Sequence, residues 1–253
     1  MIGYTTVKHI SSKQILEIKF SVPPLADQRR IVQKLDEAFA GIVKAKENAE
    51  RSLKYARDLF ESYFEELLKT KGWKWKNLGE LCDDVEYGSS AKSKAERGVP
   101  VLRMGNIHDG RFDWENLVYT NNQAEIKKYL LKHNDVLFNR TNSPELVGKT
   151  AIYKSEQPAL FAGYLIRIHR KKELLDADFL NYFLNSKSAR NYGKTVMASS
   201  VNQANINGTK LKNYPIPAPP LLEQKELASK LNELSKETQH LARLYGQKLE
   251  TLS

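Results

Sequence analysis

Two stretches of the chain repeat each other: Val22 opens VPPLADQRRIVQKL and Ala218 opens APPLLEQKELASKL. Setting Pro23 on Pro219 gives an offset of 196 (219 − 23), and the register holds on both sides of the prolines. Upstream, Ile10 faces Ile206, Ile15 faces Leu211 and Phe20 faces Ile216; downstream, Gln28 faces Gln224, Ile31 faces Leu227, Lys34 faces Lys230 and Leu35 faces Leu231. A solenoid repeats every 20 to 50 residues or so, so this period instead marks a duplicated module with something unduplicated between its copies.

Each copy has the same physical grammar. An alternating apolar stretch (ILEIKFSV, LKNYPIPA) meets two prolines that cannot continue a sheet ladder, and a polar or acidic turn then opens a helix. Strand, stop, helix is the expectation for both. After the first stop no proline occurs from Leu25 to about Lys69, and Gly41 is the only glycine; at 1.5 Å per residue that is a rod of roughly 65 Å. Its apolar seam runs Ile31, Leu35, Ala38, Ile42, Ala45, Ala49, Leu53, Ala56, Phe60, Tyr63 and Leu67, with spacings of three and four and a stutter between Ala45 and Leu53. The second copy carries Leu227, Leu231, Leu234, Leu241, Tyr245, Leu249 and Leu252 on one face. An antiparallel coiled coil of the two helices is expected, with packing of both on a globular core as the alternative. Phe39, Val43, Leu59, Phe64 and Leu68 fall partly off the seam and need burial elsewhere, either against a partner protein or on the chain's own folded body.

Between the helices the texture changes to short apolar runs broken by Gly, Asn and Pro. VPVLRMGNI, DVLFNR, TAIYK and YLIRIHR read as strands, and DADFLNYFLNSKSARNYGKTV as one helix with an acidic first turn. The fold class is therefore α+β: one mixed domain over residues 73–217, flanked by a strand-like segment 1–24, a spacer helix 25–72 and a second spacer helix 218–253. Three polar loops, Glu86 to Gly98, Asn139 to Lys149 and Met197 to Lys212, combine Asn, Gln, Ser, Thr, Arg and Lys. Such side chains make turns, and they also read base edges and phosphates. With 40 Lys and Arg against 30 Asp and Glu, a formal charge of +10 favours an anionic partner. The fork-shaped and amide groups Arg103, Arg140, Asn142, Gln203, Asn205 and Asn207 are the expected base contacts. Lys92, Lys94, Lys149, Lys194, Lys210 and Lys212, flexible point charges, are the expected phosphate contacts.

Autonomous chemistry finds little support. Histidines 9, 108, 133, 169 and 240 are scattered without HExxH spacing or cysteine partners, so no metal site is expected. No glycine-rich phosphate loop occurs, and neither Pro-Pro pair follows the Asp or Asn that an amino-methyltransferase needs to accept the target amine's hydrogen bond. SPELVGK has a faint nuclease-like spacing but lacks a matching strand aspartate. Cys82, the single cysteine, excludes an intrachain disulfide and reads as core filler, in keeping with a cytoplasmic protein. No apolar run approaches a membrane span.

PPLADQRRIVQKLD, PPLLEQKELASKLNEL, DVLFNRTNSPELVGKTAIY and SSVNQANINGTKLKNYPIPAPPLLEQ, in this order over nearly the whole chain, resemble the specificity subunits of Type I restriction-modification systems. The resemblance implies a noncatalytic subunit that reads double-stranded DNA. Methyltransferase subunits would bring S-adenosylmethionine, restriction subunits would cleave, and this chain would hold no cofactor. It also implies two recognition domains at opposite ends of antiparallel helices, each reading half of a split site. Here only one is written, and residues 1–24 resemble the last strand of another, which fits a half-sized subunit, a rearranged locus or a shortened chain. A two-fold homodimer would restore the second reader. The alternative function is a helical scaffold with only nonspecific nucleic-acid binding.

Overall fold

The computed structural model describes residues 12–19, 21–91, 97–200 and 203–251. The chain forms two compact units, one of residues 53–244 and one of residues 1–52 with 245–253. Both long helices are present, at Leu25–Thr70 and Leu221–Thr251.

The larger unit is built on a four-stranded antiparallel sheet in the order Cys82–Tyr87, Leu165–Arg170, Val136–Asn139, Thr150–Ile152. A second sheet sets Val99–Leu102 between Leu160–Phe161, parallel to it, and Val118–Thr120, antiparallel. A third places Gln203–Asn205 between Ala198–Ser200 and Thr141–Asn142. A two-stranded ribbon pairs Trp75–Asn77 with Pro215–Pro217. Val136, Phe138, Ile166 and Ile168 point into one core and Leu137 and Leu165 into another, as the two-residue period of strands buried on both faces requires. Cys82 is buried in the first core, and that burial pushes its thiol pKa up.

Two expected elements are broken by side-chain hydrogen bonds. VPVLRMGNI is a strand only to Leu102, because Asn106 accepts from the Arg103 amide (3.0 Å) and donates to the Glu115 carbonyl (2.9 Å), closing a 3-10 turn at Met104–Asn106. The strand Ile107–His108 follows and turns through Asp109 and Gly110, both at positive φ, into Arg111–Phe112. The helix expected over 176–196 is two, Ala177–Leu184 and Lys187–Val196. Asp176 caps the first by accepting from Phe179 N, and Ser186 starts the second by accepting from Ala189 N. Glu65, from the first long helix, accepts from both Ser188 N (2.8 Å) and Ser188 Oγ (2.6 Å), completing that second N-terminus.

The repeat persists in three dimensions with one difference. Ser12–Leu16 is a short helix, and so is Gly208–Lys212, its counterpart at an offset of 196. In both copies the glutamine of the Pro-Pro-Leu motif donates its side-chain amide to a proline carbonyl five residues back, Gln28 to Pro23 (2.7 Å) and Gln224 to Pro219 (2.9 Å). The expected first-copy strand is absent among the described residues: ILEIKFSV is helix to Leu16 and irregular beyond it, with Phe20, like residues 1–11, outside the described residues. Pro215–Pro217 is a strand because Trp75–Asn77 pairs with it.

Phe64 and Leu68 differ from the partner surface expected for them. Both are buried in the main core, with Phe179 edge-on to Phe64 at 6.3 Å, so they are unavailable to another protein. Leu227, Ala228 and Leu231 of the second long helix are buried in the same core. Phe39, Val43 and Leu59 are exposed, Phe39 at 60% and Leu59 at 69%. No helix among the described residues is long and apolar enough to cross a membrane.

Candidate nucleic-acid interface

Four separate segments meet at the end of the strand Cys82–Tyr87. The chain leaves this strand through Gly88, where a Cβ would fall 2.4 Å from the Phe161 carbonyl oxygen, so only glycine allows the close approach. Strand Val136–Asn139 runs on into Arg140, whose amide donates to the Tyr164 carbonyl (3.0 Å) and whose carbonyl accepts from Ile206 N (2.9 Å). Arg140 is thereby stitched between the 163–164 turn and the segment 203–207. Its guanidinium carbon lies 4.9 Å from the centre of the Tyr87 ring, and the Tyr87 hydroxyl accepts from Gly208 N at 2.7 Å. Thr141 and Asn142 pair in register with Asn205 and Ala204.

The polar groups gathered here have unused capacity. Arg140 donates through Nη1 to the Gly163 carbonyl (3.3 Å), while Nη2 has no acceptor among the described residues. Asn142 and Asn207 accept from Ser143 N and Lys210 N, and among the described residues their amide nitrogens have no acceptor. Asn205 donates to Thr141 Oγ1 (2.7 Å), leaving its oxygen as an acceptor. This region thus offers a guanidinium, two amide donors and, on the face of the short sheet that Thr141 shares, an amide acceptor, near the exposed residues Tyr87 and Tyr164. Those are the groups that read a base-pair edge. Gln203 is exposed on the same strand as Asn205 and forms interactions of its own.

Arg167 shows the contrasting case. Nε and Nη2 donate to Glu86 Oε2 (3.1 and 2.6 Å), Nη1 donates to Asp135 Oδ2 (3.1 Å) and to the Leu130 carbonyl (2.9 Å), and the carbon lies 5.0 Å from the Phe161 ring centre. Its fork is saturated, buried and structural. Burial works to raise the Glu86 carboxyl pKa, but hydrogen bonds and charge from Arg167 and His169 hold it below its ordinary value.

The other expected contacts are distributed around this centre or away from it. Arg103 follows Leu102, whose carbonyl accepts from Ala162 N (2.9 Å), and its Nη2 donates to the Asn116 carbonyl (2.8 Å), which engages one nitrogen of its fork. Lys210 lies on the short helix that Asn207 caps. Lys212 is on the same helix but pairs with Asp84 at 2.7 Å, which lowers the aspartate pKa, raises that of the lysine and compensates its charge. Lys194 is exposed on Lys187–Val196. Lys149 lines a cavity of about 610 Å³ with Glu61, Glu145 and Arg190 and does not join the Tyr87 patch. Lys92 and Lys94 lie outside the described residues. Tyr87 was not among the expected contacts: it fell in the polar loop expected over Glu86 to Gly98, where only the lysines were singled out, and the fold makes it the last residue of the strand Cys82–Tyr87 and brings residues 140 and 208 to it.

A family model for the Type I restriction modification DNA specificity domain matches residues 70–249. The chain is 34% identical over 165 residues to a putative type I restriction enzyme MjaX specificity subunit from Methanocaldococcus jannaschii, covering 64% of this chain and 39% of that protein. It is 26% identical over 235 residues to the type I restriction enzyme EcoKI specificity subunit of Escherichia coli K12, covering 86% of this chain and 50% of that protein. The chain therefore spans half or less of the length of these two relatives. Among solved structures, it is similar to a chain from work on complex assembly and conformational transition of the type I R-M system (TM-score 0.70, 22% identity, 91% of this chain and 57% of that one). It also matches the HsdS subunit from Thermoanaerobacter tengcongensis (TM-score 0.58, 20% identity, 99% and 61%), and both likenesses concern the fold. With a match over well more than half of its length, the chain belongs to the Type I restriction modification DNA specificity domain family.

Proposed function

We propose that this chain supplies the address of a Type I restriction-modification complex: it binds double-stranded DNA sequence-specifically and performs no chemistry itself. The observation that carries the reading is the meeting of the segments that bear Arg140, Asn142, Asn205 and Asn207 beside Tyr87, with donors and acceptors that no described residue uses. Methyltransferase subunits, which would hold S-adenosylmethionine, dock on the first long helix at exposed residues such as Phe39 and Val43, and a restriction subunit joins that assembly in the cytoplasm. Leu59 is the corresponding exposed residue on the part of that helix within the larger unit. Selection of tight binders from a pool of randomised duplexes tests the central claim. Enrichment of a defined motif is expected, and uniform binding of all sequences would replace the reading with a nonspecific scaffold.

The exposed apolar stretch before the first Pro-Pro pair supports a two-fold homodimer. Ile15 is 56% exposed whereas its counterpart Leu211 is fully buried, and Ile18 and Val22 are exposed as well. Such a dimer reads inverted, identical half-sites. Light scattering over a concentration series should give twice the chain mass, and a palindromic duplex should bind more tightly per half-site than a single half-site. A monomer binding both alike would exclude it.

A further inference from the structure

We infer that Tyr87 is the positioning residue of the DNA interface, its ring holding the Arg140 guanidinium as a base reader and its hydroxyl setting the segment that carries Asn205 and Asn207. The inference rests on the DNA-reading function proposed above and assigns it a centre. A guanidinium on a flexible stem loses rotational freedom when it binds, and one already held in place loses less. Arg140 is held three ways: by its backbone bonds to Tyr164 and Ile206, by Nη1 on the Gly163 carbonyl, and by the Tyr87 ring beneath its carbon. Nε is shielded from solvent and has no acceptor among the described residues, which leaves Nη2 as the nitrogen that no described residue engages. That arrangement presents one nitrogen of the fork outward. An acceptor on a base edge, such as guanine O6 or N7, is its natural ligand.

The hydroxyl has a separate task. Gly208 N–H, at the start of the short helix Gly208–Lys212, donates to Tyr87 Oη, and a Cβ at Gly208 would stand 3.1 Å from that oxygen and 3.0 Å from Val85 Cγ2. The helix start is therefore seated directly on Tyr87, and with it Asn207, which caps that helix, and Asn205 two residues earlier. One side chain sets both groups of readers against the same strand end. Ring and hydroxyl should thus control different base pairs.

The test is selection from randomised duplexes with the full chain as wild type, Tyr87→Phe, Tyr87→Leu and Arg140→Lys, read by sequencing. Arg140→Lys keeps the charge but can neither fork nor stack in the same way. Tyr87→Leu and Arg140→Lys are expected to lose preference at the same base pair, by roughly tenfold or more. Tyr87→Phe keeps that base pair and loosens another. If Tyr87→Leu fails to fold, the other two decide, since Arg140→Lys must lose the base pair that Tyr87→Phe retains. The inference is overturned if Tyr87→Leu keeps the wild-type motif, if it and Arg140→Lys loosen different positions, or if Tyr87→Phe matches either wild type or Tyr87→Leu. A wild type that enriches no motif overturns instead the DNA-reading function beneath it.

Discussion

Gln28 and Gln224 hold equivalent positions in the repeat, and their surroundings separate them. Gln224 is fully buried, donating to the Pro219 and Leu174 carbonyls and accepting from Asp176 N (2.8 Å), whereas among the described residues Gln28 has the proline contact alone. Gln224→Ala leaves two carbonyls and an amide unsatisfied, which costs about 2–4 kcal/mol; Gln28→Ala costs less than about 1 kcal/mol. Urea unfolding followed by tryptophan fluorescence checks this, because Trp73, Trp75 and Trp114 all lie in the larger unit with Gln224. Glu86 makes a prediction in acid. Its folded pKa lies below the ordinary 4.5, so the ionised form adds stability above that pH, and the contribution is lost as pH falls through the folded value. Wild type should therefore lose stability more steeply between about pH 5 and 3 than Glu86→Gln does. At this scale residue type and loop context singled out Arg140, Asn142, Asn205 and Asn207 as candidates, and the fold makes their two segments neighbours through the pairing of Thr141–Asn142 with Ala204–Asn205. Tyr87 was not legible, because nothing in a one-dimensional pattern shows that residues 140 and 208 reach one ring. The ion pair of Lys212 was hidden for a related reason: its partner, Asp84, is far away in sequence.

Among the elements, the repeat predicted both long helices and the motif that starts each. It did not show that one apolar stretch becomes a strand and the other does not, since a strand depends on its neighbour: Pro215–Pro217 has Trp75–Asn77 beside it. It was equally silent on Phe64 and Leu68, because a helix carries an apolar residue in the same way whether it faces a partner or its own domain. Helix Lys187–Val196 shows how a distant side chain can define an element boundary. Glu65→Ala removes both bonds to Ser188 and should destabilise the larger unit by about 1–2 kcal/mol. Loss of Glu61, whose salt bridge to Arg190 is half-exposed, should cost less than about 0.5 kcal/mol. Thermal melts of the two alanine variants measure the difference.

For the molecule as a whole, an excess of positive charge predicts salt-sensitive DNA binding, but not every lysine shares in it. Replacing Lys194 or Lys210 should lower the slope of log affinity against log salt by about one where a phosphate contact is lost. Lys212→Ala should leave the slope unchanged, because Asp84 already neutralises that charge. Binding isotherms at several salt concentrations separate the two classes. Charge introduced at Phe39 and Val43 should abolish co-purification with a methyltransferase subunit and leave circular dichroism intact, since both side chains are already in solvent. The ribbon of Trp75–Asn77 and Pro215–Pro217 bears on how such a molecule changes over generations. The polypeptide departs from one helix and returns to the other through two neighbouring antiparallel strands, Trp75 opposite Pro217, so the intervening stretch behaves as a cassette with adjoining ports. Under the proposed function, recombination at those ports would substitute one reader for another and give the lineage a new address in a single event, provided that the incoming cassette accepts the fixed plug of Phe64, Leu68, Leu227, Ala228 and Leu231 in its core.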